Sequence, residues 1–163
     1  MSRRRPRALV SSVSSDSHTW NLVYLQLVLE ELGHEVHNVG ACVPDELLVE
    51  ECRRHHPDIV VVSSVNGHGF LDGRRLIARL RREPDLAGLP VVIGGKLGTD
   101  GAAEGTYGPS LLAAGFTAVF EGDTAVRDFR AYLQPAVPST SHPTPAHPAA
   151  ARRTPSAMAG AAA

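Results

Sequence analysis

Three short stretches of this chain carry residue types that can do chemistry. In Ser14-Ser15-Asp16-Ser17-His18-Thr19-Trp20-Asn21, Asp16 and His18 stand two apart. A carboxylate at that spacing can accept the proton of one imidazole nitrogen and leave the other as a lone-pair donor, as in oriented metal-ligating histidines. The same residues fit a plainer part, with Asp16 or Ser17 capping a helix and His18 solvated. Ser63-Ser64-Val65-Asn66-Gly67-His68-Gly69 sets two hydroxyls before two glycines. That suits a ligand held close to backbone by a few neutral hydrogen bonds, and equally a loop shaped only by turn requirements. His68 reads either as a second ligand or as an exposed loop residue. Gly94-Gly95-Lys96-Leu97-Gly98 removes two successive Cβ atoms, so a flat or bulky group can approach the main chain.

These stretches are positioned by alternating short and long elements. Apolar runs rich in β-branched residues, Ala8–Val13, His34–Val39, Asp58–Ser64, Pro90–Ile93 and Thr117–Phe120, predict five strands. Between them, helical spacing predicts Trp20–Leu32, with Val23, Leu27, Val28 and Leu32 on one face and Gly33 ending it. Further helices are predicted over Pro44–His55 with Pro44 at N1, Phe70–Arg82, Tyr107–Ala114 and Thr124–Leu133. Leu76, Ile77 and Leu80 stand opposite Arg74, Arg75, Arg79, Arg81 and Arg82, a solvated or partner-facing row. The result is an α/β, flavodoxin-like (Rossmann-like), doubly wound five-stranded parallel sheet of order 2-1-3-4-5, with helices on both faces. In that order the first, third and fourth strand ends flank the switch point, and the three candidate stretches follow those strands.

Composition narrows the function. The 163 residues are 43% hydrophobic and 20% charged, sufficient for one folded domain. A formal net charge of −1 supplies no drive toward nucleic acid or a membrane surface, so a small ligand is expected. Residues 1–6 form a basic extension, 7–133 the domain, and 134–163 a disordered tail rich in Pro and Ala. Cys42 and Cys52 match no zinc spacing, and a reduced cytoplasmic setting is expected. The glycines fit neither a P-loop nor G-x-G-x-x-G, and Ser63 and Ser64 occupy the place where a receiver-type phosphoacceptor needs Asp.

Together, Asp16-x-His18, Ser63-x-Val65 with Gly67 and Gly69, and Gly94-Gly95 resemble the D-x-H-x-x-G, S-x-L and GG signatures of cobalamin-binding domains. The resemblance spans about Leu9 to Leu133. Val62–Gly69, Val92–Lys96 and Gly40–Leu47 are similar to segments of the small cobalamin-binding subunits of glutamate mutase, or methylaspartate mutase. The resemblance implies His18 as lower axial ligand of cobalt, with the cofactor bound base-off and Asp16 on the other ring nitrogen. It implies that Ser63 hydrogen-bonds the benzimidazole of the displaced nucleotide tail, running down between strands 1 and 3. Val65, Gly67, Gly94 and Gly95 would wall it, with Gly122 and Thr124 in the last tail-contacting loop. Ser15, Ser17, Thr19 and Asn21, then Ser64, Gly69 and Lys96, complete the cofactor-binding candidates. No residue of this chain is expected to be catalytic.

The implied cofactor is adenosylcobalamin and the implied activity an isomerase reaction, the carbon-skeleton rearrangement of L-glutamate to threo-3-methylaspartate. The implied partner is a larger barrel-type catalytic subunit, without which the chain is inactive. Three departures stand out: Asn21 replaces the motif glycine, Val65 replaces Leu, and Glu121-Gly122-Asp123-Thr124 brings two carboxylates toward the nucleotide phosphate. Two other readings remain. One is a corrinoid methyl carrier or cobalamin-sensing regulatory module, although methyl carriers join a helical bundle that is not expected ahead of Leu9. The other is a flavodoxin-like binding module that has lost cobalamin affinity, with Asn21 marking the loss.

Overall fold

The computed structural model describes residues 4–99 and 105–134. The proposed tail, apart from Gln134, and residues 1–3 of the proposed extension lie outside the described residues. In chain order the elements are β1 (Arg7–Ser12), α1 (Trp20–Glu31), β2 (Glu35–Gly40), α2 (Asp45–His55), β3 (Ile59–Ser64), α3 (Gly69–Arg81), β4 (Val91–Gly95), α4 (Gly108–Ala114), β5 (Ala118–Phe120) and α5 (Ala125–Leu133). All strand pairings are parallel and the order is β2-β1-β3-β4-β5, the expected flavodoxin-like winding.

The central strand β3 is buried at every position because both its faces are covered. Val60 and Val62 point into a core shared with Leu48 and Val49 of α2, Leu76, Ile77 and Leu80 of α3, and Leu111 of α4. Ile59 and Val61 point into a second core with Leu22, Val28 and Leu29 of α1 and Phe129 of α5. Each βα unit crosses to a defined face, and the strand C-termini collect at one rim.

Three local expectations are corrected. Helix α1 buries Leu22, Val28 and Leu29, whereas Val23 and Leu27 are exposed together with Trp20 and Tyr24. Its sequence is apolar on several sides, so spacing alone does not select the face that meets the sheet. Pro44 is the N-cap of α2, with extended backbone at φ −61° and ψ 146°; Asp45 and Glu46 begin the helix and oppose its dipole favourably. Strand β4 continues through Gly94 and Gly95, which pair with Ser63 and Ser64. Gly33 does follow α1 with φ +88°, the left-handed conformation that glycine adopts without strain.

The arginine row of α3 is largely engaged within the chain. Arg75 pairs with Asp45 and Asp72, and Arg79 with Glu46 and Glu83, clipping α3 to α2. Arg81 donates to the carbonyl oxygens of Leu86, Ala87, Leu89 and Gly115, holding the connection into β4 and the end of α4. Arg74 lies over the Phe70 ring at 5.6 Å. No helix among the described residues is long and apolar enough to cross a membrane.

Candidate functional site

Beyond Ser12, the chain turns back under its own backbone. The Ser12 hydroxyl and the Cys42 N–H donate to the Asp16 carbonyl oxygen at 3.0 and 2.8 Å, fixing the loop that carries the first candidate pair. The Asp16 side chain is fully buried. Its Oδ1 accepts from the His18 N–H at 3.0 Å and meets His18 Nδ1 at 2.7 Å. Its Oδ2 accepts from the N–H groups of Val65 and Asn66 at 2.6 and 3.3 Å, so one carboxylate ties the loops after β1 and β3 together.

Burial alone would push the Asp16 carboxyl pKa up, but the N–H groups of Val65, His18 and Asn66 and the His18 ring outweigh it and hold it below 3.8. An ionised carboxylate only accepts, so the ring nitrogen facing it, Nδ1, carries a proton. In the neutral imidazole Nε2 is then a lone-pair donor, on a side chain half-exposed at the rim. The Asp16 carboxylate therefore fixes the His18 tautomer and does not cap α1, which has no side-chain cap.

Beside this pair lies a cavity of about 140 Å³ over β3 and β4, between α1 and α5. Asn21 and Leu25 of α1 and Phe129 of α5 flank the space. Whole-ligand pockets typically run about 300–1,000 Å³, so this one admits a ring-sized portion of a larger ligand. The Asn21 Nδ2 donates to the Ser63 hydroxyl oxygen at 2.7 Å. Asn21 Oδ1 is buried without a partner among the described residues. Among the described residues the Ser63 hydroxyl proton has no recorded acceptor, so an otherwise apolar wall retains one unused donor and one unused acceptor.

Asn21, Ser63, Val65, Gly94 and Gly95 line this cavity. Both glycines are also required by the sheet itself. A Cβ on Gly94 would sit 2.8 Å from the Phe120 carbonyl oxygen, and one on Gly95, at φ +104°, would collide with the Ser64 carbonyl oxygen. We expect Gly94→Ala to cost about 2 kcal/mol in urea unfolding, from overpacking against β5. A loss below about 0.5 kcal/mol, within the range of an ordinary surface substitution, would show that β5 yields freely.

The remaining candidates lie around the cavity without lining it. Ser15 donates to Asp72 and accepts from Asn66, Ser17 is exposed, and Thr19 is the backbone N-cap of α1. Ser64 is buried, and its carbonyl oxygen accepts from the Lys96 N–H at 2.7 Å. Gly67 and Gly69 face Thr99 and Leu97 respectively. His68 is exposed and is the backbone N-cap of α3. Gly122, at φ +77°, and Thr124, bonded to Asp128, lie just before Ala125 of the cavity wall. Glu121 accepts from the Gly108 N–H, so that carboxylate is committed to the start of α4.

Trp20, Tyr24, Phe120 and Phe129 are wall residues that motif reading missed. Tyr24 could have been found from its i,i+3 register with Asn21, and Trp20 from its i,i+4 register with Tyr24. Phe120 and Phe129 carry no comparable signal, because Phe120 reaches the cavity from the end of β5 and Phe129 from the packing of α5 on the sheet.

One imidazole cannot hold a free metal ion, since protein sites use three or four ligands. His18 suits a metal whose other ligands belong to its own macrocycle. The adjacent cavity and its unused hydroxyl suit a ring hanging from that macrocycle, and the residues present fit such a group.

Comparison with known proteins gives the same direction. The B12 binding domain family profile matches residues 6–129. The glutamate mutase sigma subunit of Halobacterium salinarum is 30% identical over 126 residues, covering 76% of this chain and 82% of that protein. The glutamate mutase sigma subunit 1 of Haloarcula marismortui is 30% identical over 122 residues, 73% of this chain and 78% of that protein. A crystal structure of a cobalamin-binding protein from Desulfitobacterium hafniense superposes with a TM-score of 0.63 at 20% identity, over 81% of this chain. This chain spans 60% of that structure, a likeness of fold. The chain belongs to the B12 binding domain family, alongside the sigma subunits of glutamate mutase.

Proposed function

We propose that residues 7–133 form the cofactor-carrying unit of an adenosylcobalamin-dependent glutamate mutase, with cobalamin bound base-off on His18 Nε2. The observation that carries this reading is the buried Asp16 carboxylate on His18 Nδ1, which leaves a directed nitrogen donor beside a ring-sized apolar cavity. Ser63 donates to the ring nitrogen of the displaced benzimidazole. Val65, Gly94 and Gly95 flank that ring, and Phe120 and Phe129 close the far wall. When bound, the cofactor supplies homolysis of a cobalt–carbon bond, the start of a radical rearrangement.

This chain's own residues hold and orient the corrin. Substrate recognition falls to a separate barrel-type catalytic subunit, with glutamate converted to methylaspartate and the pair working as an isomerase. The relatives' sigma-subunit names support that division of labour. Free Cys42 and Cys52 suit a reducing cytoplasm. The decisive assay mixes the purified chain with adenosylcobalamin and a catalytic mutase subunit and measures methylaspartate formation from glutamate. Turnover is expected only with all three components; turnover without this chain, or none with all three, overturns the reading.

Asn21 makes a separate prediction. Its amide uses the Ser63 hydroxyl as acceptor and leaves its own Oδ1 unpaired on the cavity wall. Asn21→Gly removes that cost and enlarges the cavity, while glycine in the first turn of α1 lowers stability by about 1 kcal/mol. We expect cobalamin affinity to tighten about tenfold, because the side chain no longer fills space on the cavity wall that a bound ring would take. Equilibrium dialysis checks this, and weaker binding would show that the amide contacts the cofactor directly.

A further inference from the structure

The opposite end of the sheet carries a cluster that the cofactor reading does not use. His37 comes from the edge strand β2, whereas Glu51 and His55 stand one turn apart near the end of α2. His37 Nε2 and His55 Nε2 lie 3.0 and 3.1 Å from the same oxygen, Glu51 Oε2. The Glu51 side chain is only 8% exposed, while the imidazoles open on a cleft of about 360 Å³ that also meets Arg7 and Glu35. The donor atoms of all three residues lie within 4.8 Å of one another. From this convergence we infer that His37, Glu51 and His55 form a binding site for a divalent transition metal, with zinc the ion suited to the donor set.

The chemistry supports the assignment at each atom. Two imidazole nitrogens and one carboxylate oxygen make a three-ligand set that leaves a fourth position to water. Metal–ligand distances of about 2.0–2.2 Å place neighbouring tetrahedral donors about 3.4 Å apart, so each imidazole nitrogen needs to move from Oε2 by only a few tenths of an ångström. Arg54 donates to Glu51 Oε1 at 2.7 Å, engaging that oxygen and leaving Oε2 toward the histidines. The two imidazoles stack at 3.7 Å and 18°, close to the face-to-face geometry that aromatic rings ordinarily avoid. Both rings meet Oε2 from this stack, and on binding an ion they must rotate apart so that their in-plane lone pairs converge on it.

Binding would clasp β2, which among the described residues pairs only with β1, to α2. The ion meets preformed ligands in the folded chain alone, so it raises the melting temperature. The inference does not rest on the cofactor reading.

The test titrates Zn²⁺ into the tag-free chain, without cobalamin, against a chromophoric zinc chelator. One equivalent should bind with micromolar or tighter affinity and raise the melting temperature, whereas Mg²⁺ should do neither. His37→Ala and His55→Ala should each weaken binding more than tenfold. His37→Asn keeps a side-chain donor for Glu51 but removes the imidazole ligand, and it should lose the zinc-dependent rise while retaining the fold by circular dichroism. His18→Ala and Cys42→Ser should bind zinc as the unaltered chain does. No stoichiometric uptake, or equal uptake by His37→Asn, overturns the site.

Discussion

Asp16→Asn is expected to lose about 3 kcal/mol of folding stability and the fixed tautomer of His18 in a single substitution. The carboxylate accepts four hydrogen bonds while fully buried. An isosteric amide retains one oxygen, but its NH2 group must face an N–H donor from one of the two loops. Charge-assisted bonds of this kind contribute about 1.5–3 kcal/mol each, and a stranded buried donor costs a further 1–3, partly relieved by loop adjustment. Urea unfolding measures the stability, and imidazole ¹⁵N shifts measure the tautomer. In the unaltered chain Nδ1 should be protonated and Nε2 bare; in Asp16→Asn the two forms should mix. A stability change below about 0.5 kcal/mol with an unchanged tautomer would remove Asp16 from this role.

The pH dependence has a definite sign. Because folding depresses the Asp16 pKa below 3.8, its stabilisation is complete above the unfolded value and fades as pH falls through the folded one. Stability should therefore be lost below about pH 4, and Asp16→Asn should flatten that acid limb.

His18→Ala is expected to separate binding from folding. The side chain is 49% exposed and packs into neither core, so its removal should cost only its ring bond to Asp16, about 1.5 kcal/mol, and leave the fold and the three main-chain bonds to that carboxylate in place. Cobalamin affinity should fall on the order of 100-fold, since a metal ligand is lost and not merely a group supporting one. Visible spectra provide the sharper readout: the unaltered chain should give a nitrogen-ligated, base-off signature, and the variant should not. Identical spectra, with equal corrin retained after gel filtration, would eliminate His18 as the ligand.

The legibility of these features follows the range of the forces involved. Strand order was readable because the run Ile59 to Val62 of β3 is apolar at every position and each strand is followed by a segment of helical period, both local properties. Asp16 and His18 were readable as a pair because they are two residues apart. The face that α1 buries was not, since Trp20, Val23, Tyr24 and Leu27 are as apolar as the residues facing the sheet. Nor was the bond from Asn21 to Ser63, which spans 42 positions and exists only once α1 lies across β3. The sequence marked Asn21 as a departure from a motif; the unpaired oxygen that results is a property of the packed chain.

Of the four bonds that reach the Asp16 carboxylate, three come from main-chain N–H groups, which almost any residue at those positions would supply. The rim therefore behaves as a socket whose shape is kept by the backbone while the group presented at position 18 is interchangeable. Cysteine or glutamine could be installed there to change the donor offered at the rim without rebuilding the scaffold beneath it.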